Sequence, residues 1–568
     1  MVRKAIIPLA LLLAASVSAR QAPAPEIRID QVGYPSGAPK VALVVSDRAA
    51  GGFVVRADAG GEVAFRGRLE EAVLEPDSGD RVRAADFSAL RKPGRYLVEV
   101  EGVGRSWPFE IGTPYEPVFR LAARAFYGQR CGTAVDLGPQ YPGYRHGACH
   151  RQGVFHPSSG RQGPRASTRG WHDAGDYGRY VVNSGITTAT LLWTWELFGP
   201  RIEAIGLDVP ESGNAVPDLL DEIRWNLDWM LSMQDDDGGV WHKQTTPSFS
   251  GFVMPEADAV PSAVIGTAAA PFKSSCATAG FAAVTAAAAR VYRRVDAPFA
   301  DAALAASRRA WAWAERHPDV RFRNPPGVST GEYGDRDCGD ERLWAAAELW
   351  RSTGEPAFER AVLDMEARYR GALRAAGPPS WANVAALGLW SYVLGGGRTP
   401  AADRIRQDSL AAADAIAART RRHGYRQSLV TADYVWGSNG VVANYGVQLL
   451  VANAMQPRRE YVEAALDNLH YLLGRNTFSL SWVTRVGANP YRHPHHRPSG
   501  ADGNAEPWPG MLSGGPNRTR ADPAMKALPD LPPARMYLDD QESYASNEMA
   551  INWNAPLVFL LAGVLDVD

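Results

Sequence analysis

Tyr96-Leu97-Val98-Glu99-Val100, the break at Gly112-Thr113-Pro114 and the segment opening near Val118 hold the decisive change of pattern in this chain of 568 residues. The first stretch alternates, as a strand with one buried face does, and from Val118 the apolar residues recur three and four apart, the period of a helix with one buried stripe. Outward from the break, Ile27-Arg28-Ile29, Val41-Ala42-Leu43-Val44-Val45 and Phe53-Val54-Val55 repeat the strand pattern, separated by Gly-Gly, Pro-Asp and Lys92-Pro93-Gly94. This predicts a small antiparallel β-sandwich over residues 26–112. On the other side, helical periodicity over residues 277–294, 298–316, 341–352, 356–375 and 458–473 predicts a mainly α region over residues 115–568. Long polar, Gly- and Pro-rich loops between paired helices point to a ring of helical hairpins whose loops build a site on one face.

At the amino terminus, Arg3 and Lys4 precede an apolar run from Ala5 to about Ala15, and Val17-Ser18-Ala19 supplies small residues. Residues 1–20 read as a signal peptide, so an exported protein is expected, periplasmic or secreted. No later run is long enough to span a bilayer, and no cysteine follows the leader to carry a lipid, so no membrane anchor is expected. A net charge of -2 with both signs interspersed leaves no basic field to gather a nucleic acid. Seventeen tryptophans and twenty tyrosines supply flat rings, for a core or for sugar faces. A monomer is expected.

Three segments carry candidate chemistry. In Gly170-Trp171-His172-Asp173-Ala174-Gly175-Asp176-Tyr177-Gly178, glycines let a loop turn both carboxylates toward one cavity, and neighbouring like charges push their proton affinities apart. A helix cap or a cation loop is the rival reading of Asp-Ala-Gly-Asp taken alone. Glu548 closes the polar stretch 537–548 just before an apolar segment, where desolvation raises a carboxyl pKa as a general acid requires; a first-turn helix glutamate is the alternative. Ser481-Trp482-Val483-Thr484 leads through Asn489 to Pro494-His495-His496-Arg497, whose imidazole and guanidinium groups can bond sugar hydroxyls.

Four cysteines do not make a disulfide scaffold in a chain of this size. Cys131, Cys149, His150 and His172 have spacings that a structural zinc could use, with a Cys131–Cys149 disulfide or free thiols as alternatives. Cys276, in an Ala-rich run, reads as a small buried hydrophobe.

Together the three segments resemble glycoside hydrolase family 9. Ser481, Val483, Thr484, Gly487, Asn489, Pro494, His495 and Arg497 match one signature region, and Tyr537, Asp539, Tyr544, Glu548, Ala550, Asn554 and Ala555 match the other. Trp171 to Tyr177 matches the family's catalytic loop, and Ile29-Asp30-Gln31-Val32-Gly33-Tyr34 looks like the start of the immunoglobulin-like domain of one branch. The resemblance implies an (α/α) six-hairpin barrel preceded by an immunoglobulin-like β-sandwich. It also implies an inverting hydrolase of β-1,4-glucosidic bonds, with Asp176 as general base, Asp173 assisting its water and Glu548 as general acid. His495 and Asp539 would support charge, and Arg497, Tyr544 and Trp436 would contact substrate. The same resemblance implies zinc on Cys131, Cys149, His150 and His172, and calcium on Asp337, Asp340 and Glu341, with Asn383 standing where many relatives have an aspartate. Because the chain ends soon after the barrel, soluble glucans or cello-oligosaccharides are expected as substrates. Exo-acting cellodextrin or glucosamine-oligomer hydrolysis, or carbohydrate binding without catalysis, are the alternatives.

Overall fold

The computed structural model describes residues 22–567, so the leader sequence lies outside the described residues. The β-rich region contains β1 (Ile27–Arg28), β2 (Gly33–Pro35), β3 (Val41–Val44), β4 (Gly52–Ala57), β5 (Val63–Arg68), β6 (Val73–Glu75), β7 (Asp80–Asp86), β8 (Gly94–Val100), β9 (Gly104–Arg105) and β10 (Phe109–Gly112). One sheet runs β1-β3-β7-β6 and the other β2-β10-β8-β4-β5, with β9 on the flank of β8. Alternation does its work in β8: Tyr96, Val98 and Val100 are buried while the residues between them are not. They join Ile27, Val44, Phe87 and Ile111 in a core separate from the helical one.

The helices are α1 (Glu116–Gly128), α2 (Val181–Ile202), α3 (Asp218–Ser232), α4 (Ser275–Tyr292), α5 (Ala297–Arg316), α6 (Gly339–Thr353), α7 (Pro356–Tyr369), α8 (Ala385–Leu394), α9 (Pro400–Arg422), α10 (Ser438–Met455) and α11 (Arg459–Leu472). Three short helices follow, α12 (Arg497–Ala501), α13 (Pro523–Lys526) and α14 (Tyr544–Asn547), and then α15 (Ile551–Val564). Local chemistry sets their starts. Ser274, Asp296 and Thr399 accept the backbone N–H of Ala277, Phe299 and Ala402 to cap α4, α5 and α9, and prolines open α5 and α9.

Composition sorts the helices into two classes. Helices α4, α8, α10 and α15 are buried around nearly their whole circumference, whereas α5, α7, α9 and α11 bury one stripe each. The buried class sits inside together with α2 and α6: α2 packs on α4, α4 on α6, α6 on α8, α8 on α10, α10 on α15 and α15 on α2. Each also packs against an outer neighbour, as α4 does on α5 and α10 on α11.

Two expectations are corrected. The helical run expected to reach residue 375 ends at Tyr369 and tightens into a single 3-10 turn at Arg370–Ala372. Cys276 is not a bare hydrophobe but forms a disulfide with Cys338, 62 residues away in sequence, with Cα atoms 4.6 Å apart. Helices α4 and α6 are neighbours with adjacent N-termini, which brings the second residue of one beside the N-cap of the other.

Two buried seams join the β region to the helices. At the first, Asp30 lies 2.8 Å from His470, and Gln31 accepts the N–H groups of Ala488 and Asn489 (3.0 and 2.6 Å) while donating to Ser479 O (2.9 Å). At the second, Glu75 accepts Gly424 N–H (2.9 Å) and Asp80 accepts the Tyr425 hydroxyl (2.6 Å).

Candidate active site

The loop from Gly170 to Gly178 is held from beneath before it reaches the cleft. Trp171 is fully buried and donates to Glu222 (2.8 Å), His172 N–H bonds Gln129 O (2.7 Å), and Gln129 donates to Ala174 O (2.9 Å). Gly175 is required by close approach: a Cβ there would lie 2.0 Å from the carbonyl oxygen of His495. That proximity lets Gly175 O accept from the Arg497 backbone N–H (3.1 Å) and from its Nη1 (2.7 Å).

The segment after Glu548 runs against the same loop. Ala174 and Ala550 form a bridge, Ile551 N–H bonds Asp173 O (2.9 Å), and His495 bridges Glu548. Asp173, Asp176 and Glu548 therefore face one cleft of about 810 Å³, which His495, Arg497, Tyr544 and Trp436 also line.

Within it, Asp173 is buried and accepts from Asn183 Nδ2 (2.7 Å) and the Tyr333 hydroxyl (2.6 Å). Burial first, and the charge of Asp176 second, push its carboxyl up. Asp176 accepts from Gly178 N–H (2.9 Å) and the Tyr180 hydroxyl (3.1 Å). Burial, then Asp176, lift the Glu548 carboxyl well above the ordinary range against the opposing charge of Arg497. His495 donates from Nδ1 to Gln541 O (2.7 Å), and burial lowers the pKa of its ring.

Asp539 departs from expectation. It does not line the cleft: its oxygens accept the N–H groups of Arg492 and His493 (2.9 and 2.8 Å) and the Asn547 amide (3.1 Å). It braces the two segments that carry His495 and Glu548. Arg497 spends Nε on Ser250 O (2.9 Å) and lies over the ring of Phe249. Trp436 is 43% exposed and packs at 5.5 Å from Tyr544.

Sequence reasoning missed Tyr180, Tyr333, Phe249 and Trp381, all of which line the cleft. Spacing offered a signal for Tyr180, four residues beyond Asp176, and Trp381 follows Pro378-Pro379-Ser380 as a lone ring in a stiff loop.

One cluster suits a metal. The ligand atoms of Cys131, Cys149, His150 and His172 lie within 4.8 Å of one another, both thiols are free rather than paired, and His150 Nδ1 is buried without a partner. Two thiolates and two imidazoles in that arrangement fit tetrahedral zinc. Near the start of α6 the oxygens left without partners are Asp335 Oδ2, Asp340 Oδ1 and both of Glu341. Asp337, expected as a ligand, is instead engaged by Arg368 (2.8 Å) and the Tyr369 hydroxyl (3.1 Å).

The profile of glycosyl hydrolase family 9 matches residues 115–561, and that of the cellulase N-terminal ig-like domain matches residues 22–105. The chain belongs to glycosyl hydrolase family 9. This family-9 hydrolase is 38% identical to endoglucanase D of Acetivibrio thermocellus over 549 residues, covering 95% of this chain and 84% of that one. It is 36% identical to a xyloglucan-specific endo-β-1,4-glucanase of Bacteroides ovatus over 581 residues, 98% of this chain and 96% of the other. A solved single-mutant thermostable endoglucanase from Alicyclobacillus acidocaldarius superposes with a TM-score of 0.87 at 33% identity, covering 95% and 100% of the two chains.

Proposed function

We propose that this family-9 enzyme hydrolyses β-1,4-glucosidic bonds of soluble glucans or cello-oligosaccharides within the chain, with inversion. The observation that carries the reading is the meeting, in one cleft, of the Asp173–Asp176 pair and a Glu548 whose carboxyl is pushed well above the ordinary range. Glu548 keeps a proton near neutrality and delivers it to the departing glycosidic oxygen. Asp176, held by Gly178 N–H and Tyr180, takes a proton from water, which Asp173 helps to hold. His495, Arg497, Tyr544 and Trp436 bind the sugars, and Asp539 keeps the acid and histidine segments together.

The ring of contacts among α2, α4, α6, α8, α10 and α15, each with an outer partner, supports an (α/α) six-hairpin barrel over residues 115–568 behind a β-sandwich over residues 26–112. Zinc on Cys131, Cys149, His150 and His172 would stiffen the segment leading into Asp173. Calcium on Asp335, Asp340 and Glu341 would neutralise buried carboxylates at the start of α6. The leader sequence supports export, and no helix among the described residues is long and apolar enough to cross a membrane.

The test is stereochemical. An inverting enzyme places its carboxyl groups about 6.5–9.5 Å apart to admit water and releases the α-anomer first, whereas a retaining one needs about 5–5.5 Å and releases the β-anomer. Proton NMR in the first minutes of cellohexaose hydrolysis should show the α-anomer. Initial β-anomer would remove Asp176 from the role of base.

A further inference from the structure

We propose that Lys243 is a positioning residue for the pair Asp173 and Asp176, holding the two tyrosines that grip them; the proposal rests on the reading of Asp176 as base. Lys243 is fully buried, yet among the described residues its ammonium pairs with no carboxylate. It donates instead to Gly331 O (2.8 Å), Thr330 O (3.1 Å), Thr330 Oγ1 (3.1 Å) and Asn324 Oδ1 (2.7 Å). Its neighbour His242 donates from Nε2 to Glu332 O (2.9 Å). Three successive carbonyls are thus clamped immediately before Tyr333.

Tyr333 needs that clamp. Its backbone sits at φ 44°, a left-handed conformation that a tyrosine keeps only where its surroundings enforce it, and its hydroxyl reaches Asp173 at 2.6 Å. The same dipeptide fixes the other tyrosine. Lys243 pairs with Tyr180 across a strand pair, Val181 N–H bonds His242 O (3.0 Å), and the ammonium lies 5.6 Å from the centre of the Tyr180 ring. Tyr180 in turn bonds Asp176. A buried cation with four neutral acceptors is costly, and the cost is intelligible if the charge organises something.

The groups facing Lys243 are Asp176 and Glu332, which favour its charge, and the phenol of Tyr180; His242, beside it in the chain, is held neutral by burial. Burial brings the amine down to about 7, so the clamp loses a donor as pH rises through that value.

The experiment compares Lys243→Met, the paired Tyr180→Phe and Tyr333→Phe variant, and the triple variant on 2,4-dinitrophenyl cellobioside, a substrate that does not need the acid's proton. We expect kcat of Lys243→Met to fall about tenfold to a hundredfold with KM within threefold, as for a misplaced reacting group. The wild-type decline in kcat above about pH 7 should be absent from the Lys243→Met variant, and the triple variant should lose little more than the paired tyrosine variant alone. A folded Lys243→Met with kcat within twofold of wild type, or losses that multiply in the triple variant, would overturn the proposal. Should Lys243→Met not fold, Asn324→Ala, which removes one acceptor, should lower kcat severalfold at unchanged KM, and an unchanged kcat would count against the role. Asp176→Ala on the same substrate keeps the two readings apart. Turnover retained there removes the base assignment itself, whereas an inactive Asp176→Ala beside an unimpaired Lys243→Met removes only the positioning role.

Discussion

Glu548 follows the short helix α14 at the point where the chain turns extended, so its carboxyl is desolvated without being sealed off. Its elevated pKa has a direct kinetic consequence. As the proposed acid, Glu548 would work only while protonated, so kcat/KM on cellohexaose should decline on the alkaline side as pH rises through the raised value. Glu548→Gln should lower kcat on cellohexaose by about a thousandfold or more, while an aryl substrate with a very acidic leaving group loses far less, since the amide cannot donate the proton such a group hardly needs. Equal losses on both substrates, in a variant that still melts like wild type, would transfer the acid role elsewhere.

Among the structural elements, the loop bearing Asp173 is flanked by the thiol and imidazole cluster, and α4 and α6 are tied by Cys276–Cys338. Removing the proposed zinc with a chelator should lower the melting temperature and speed amide exchange across residues 170–178, while cellobiose affinity changes little, because metal binding is folding free energy for its ligand segment. Metal analysis that finds no zinc in purified enzyme would refute this. The disulfide closes a loop of 62 residues, and the paired Ala variant should lose about 2–4 kcal/mol, read as a lower melting temperature or faster unfolding. Those two features differ in how far sequence revealed them. The Cys-His cluster was legible because Cys149 and His150 adjoin and His172 precedes Asp173. Cys276–Cys338 was not, since pairing them requires knowing that α4 and α6 are neighbours, a fact of packing alone. Asp176 and Glu548 stood out because both lie in long, unusual loops. Tyr333 sat in plain view beside the acidic residues, but its aim depends on a left-handed backbone that no local pattern announces. Asp539 matched a signature position, and only the path of the loop shows its oxygens spent on Arg492, His493 and Asn547.

Across the molecule, the β region is bound to the helical one by buried polar contacts rather than by apolar surface alone. Gln31 is the most telling of these, because its side chain satisfies two backbone N–H groups and one carbonyl of the segment 479–489, which leads to His495. Gln31→Leu would leave the N–H groups of Ala488 and Asn489 without partners, while Ser479 O keeps the Asn489 amide (2.8 Å), and buried unpaired groups cost about 1–3 kcal/mol each. We expect a loss of about 2–4 kcal/mol, read as a lower melting temperature, together with a several-fold drop in kcat on cellohexaose. Unchanged stability and turnover would show that the β region is a passenger. The bridge between Ala174 and Ala550 carries a different lesson, for descent and for engineering. Main-chain atoms set the gauge between the proposed acid and base there, so side-chain drift in either loop leaves that gauge alone. The rings of Phe249, Trp381 and Trp436 hang on other loops, free to be lengthened, trimmed or exchanged. A lineage built on this plan can change its diet without relearning its chemistry, and a designer can graft new walls onto an unaltered reaction centre.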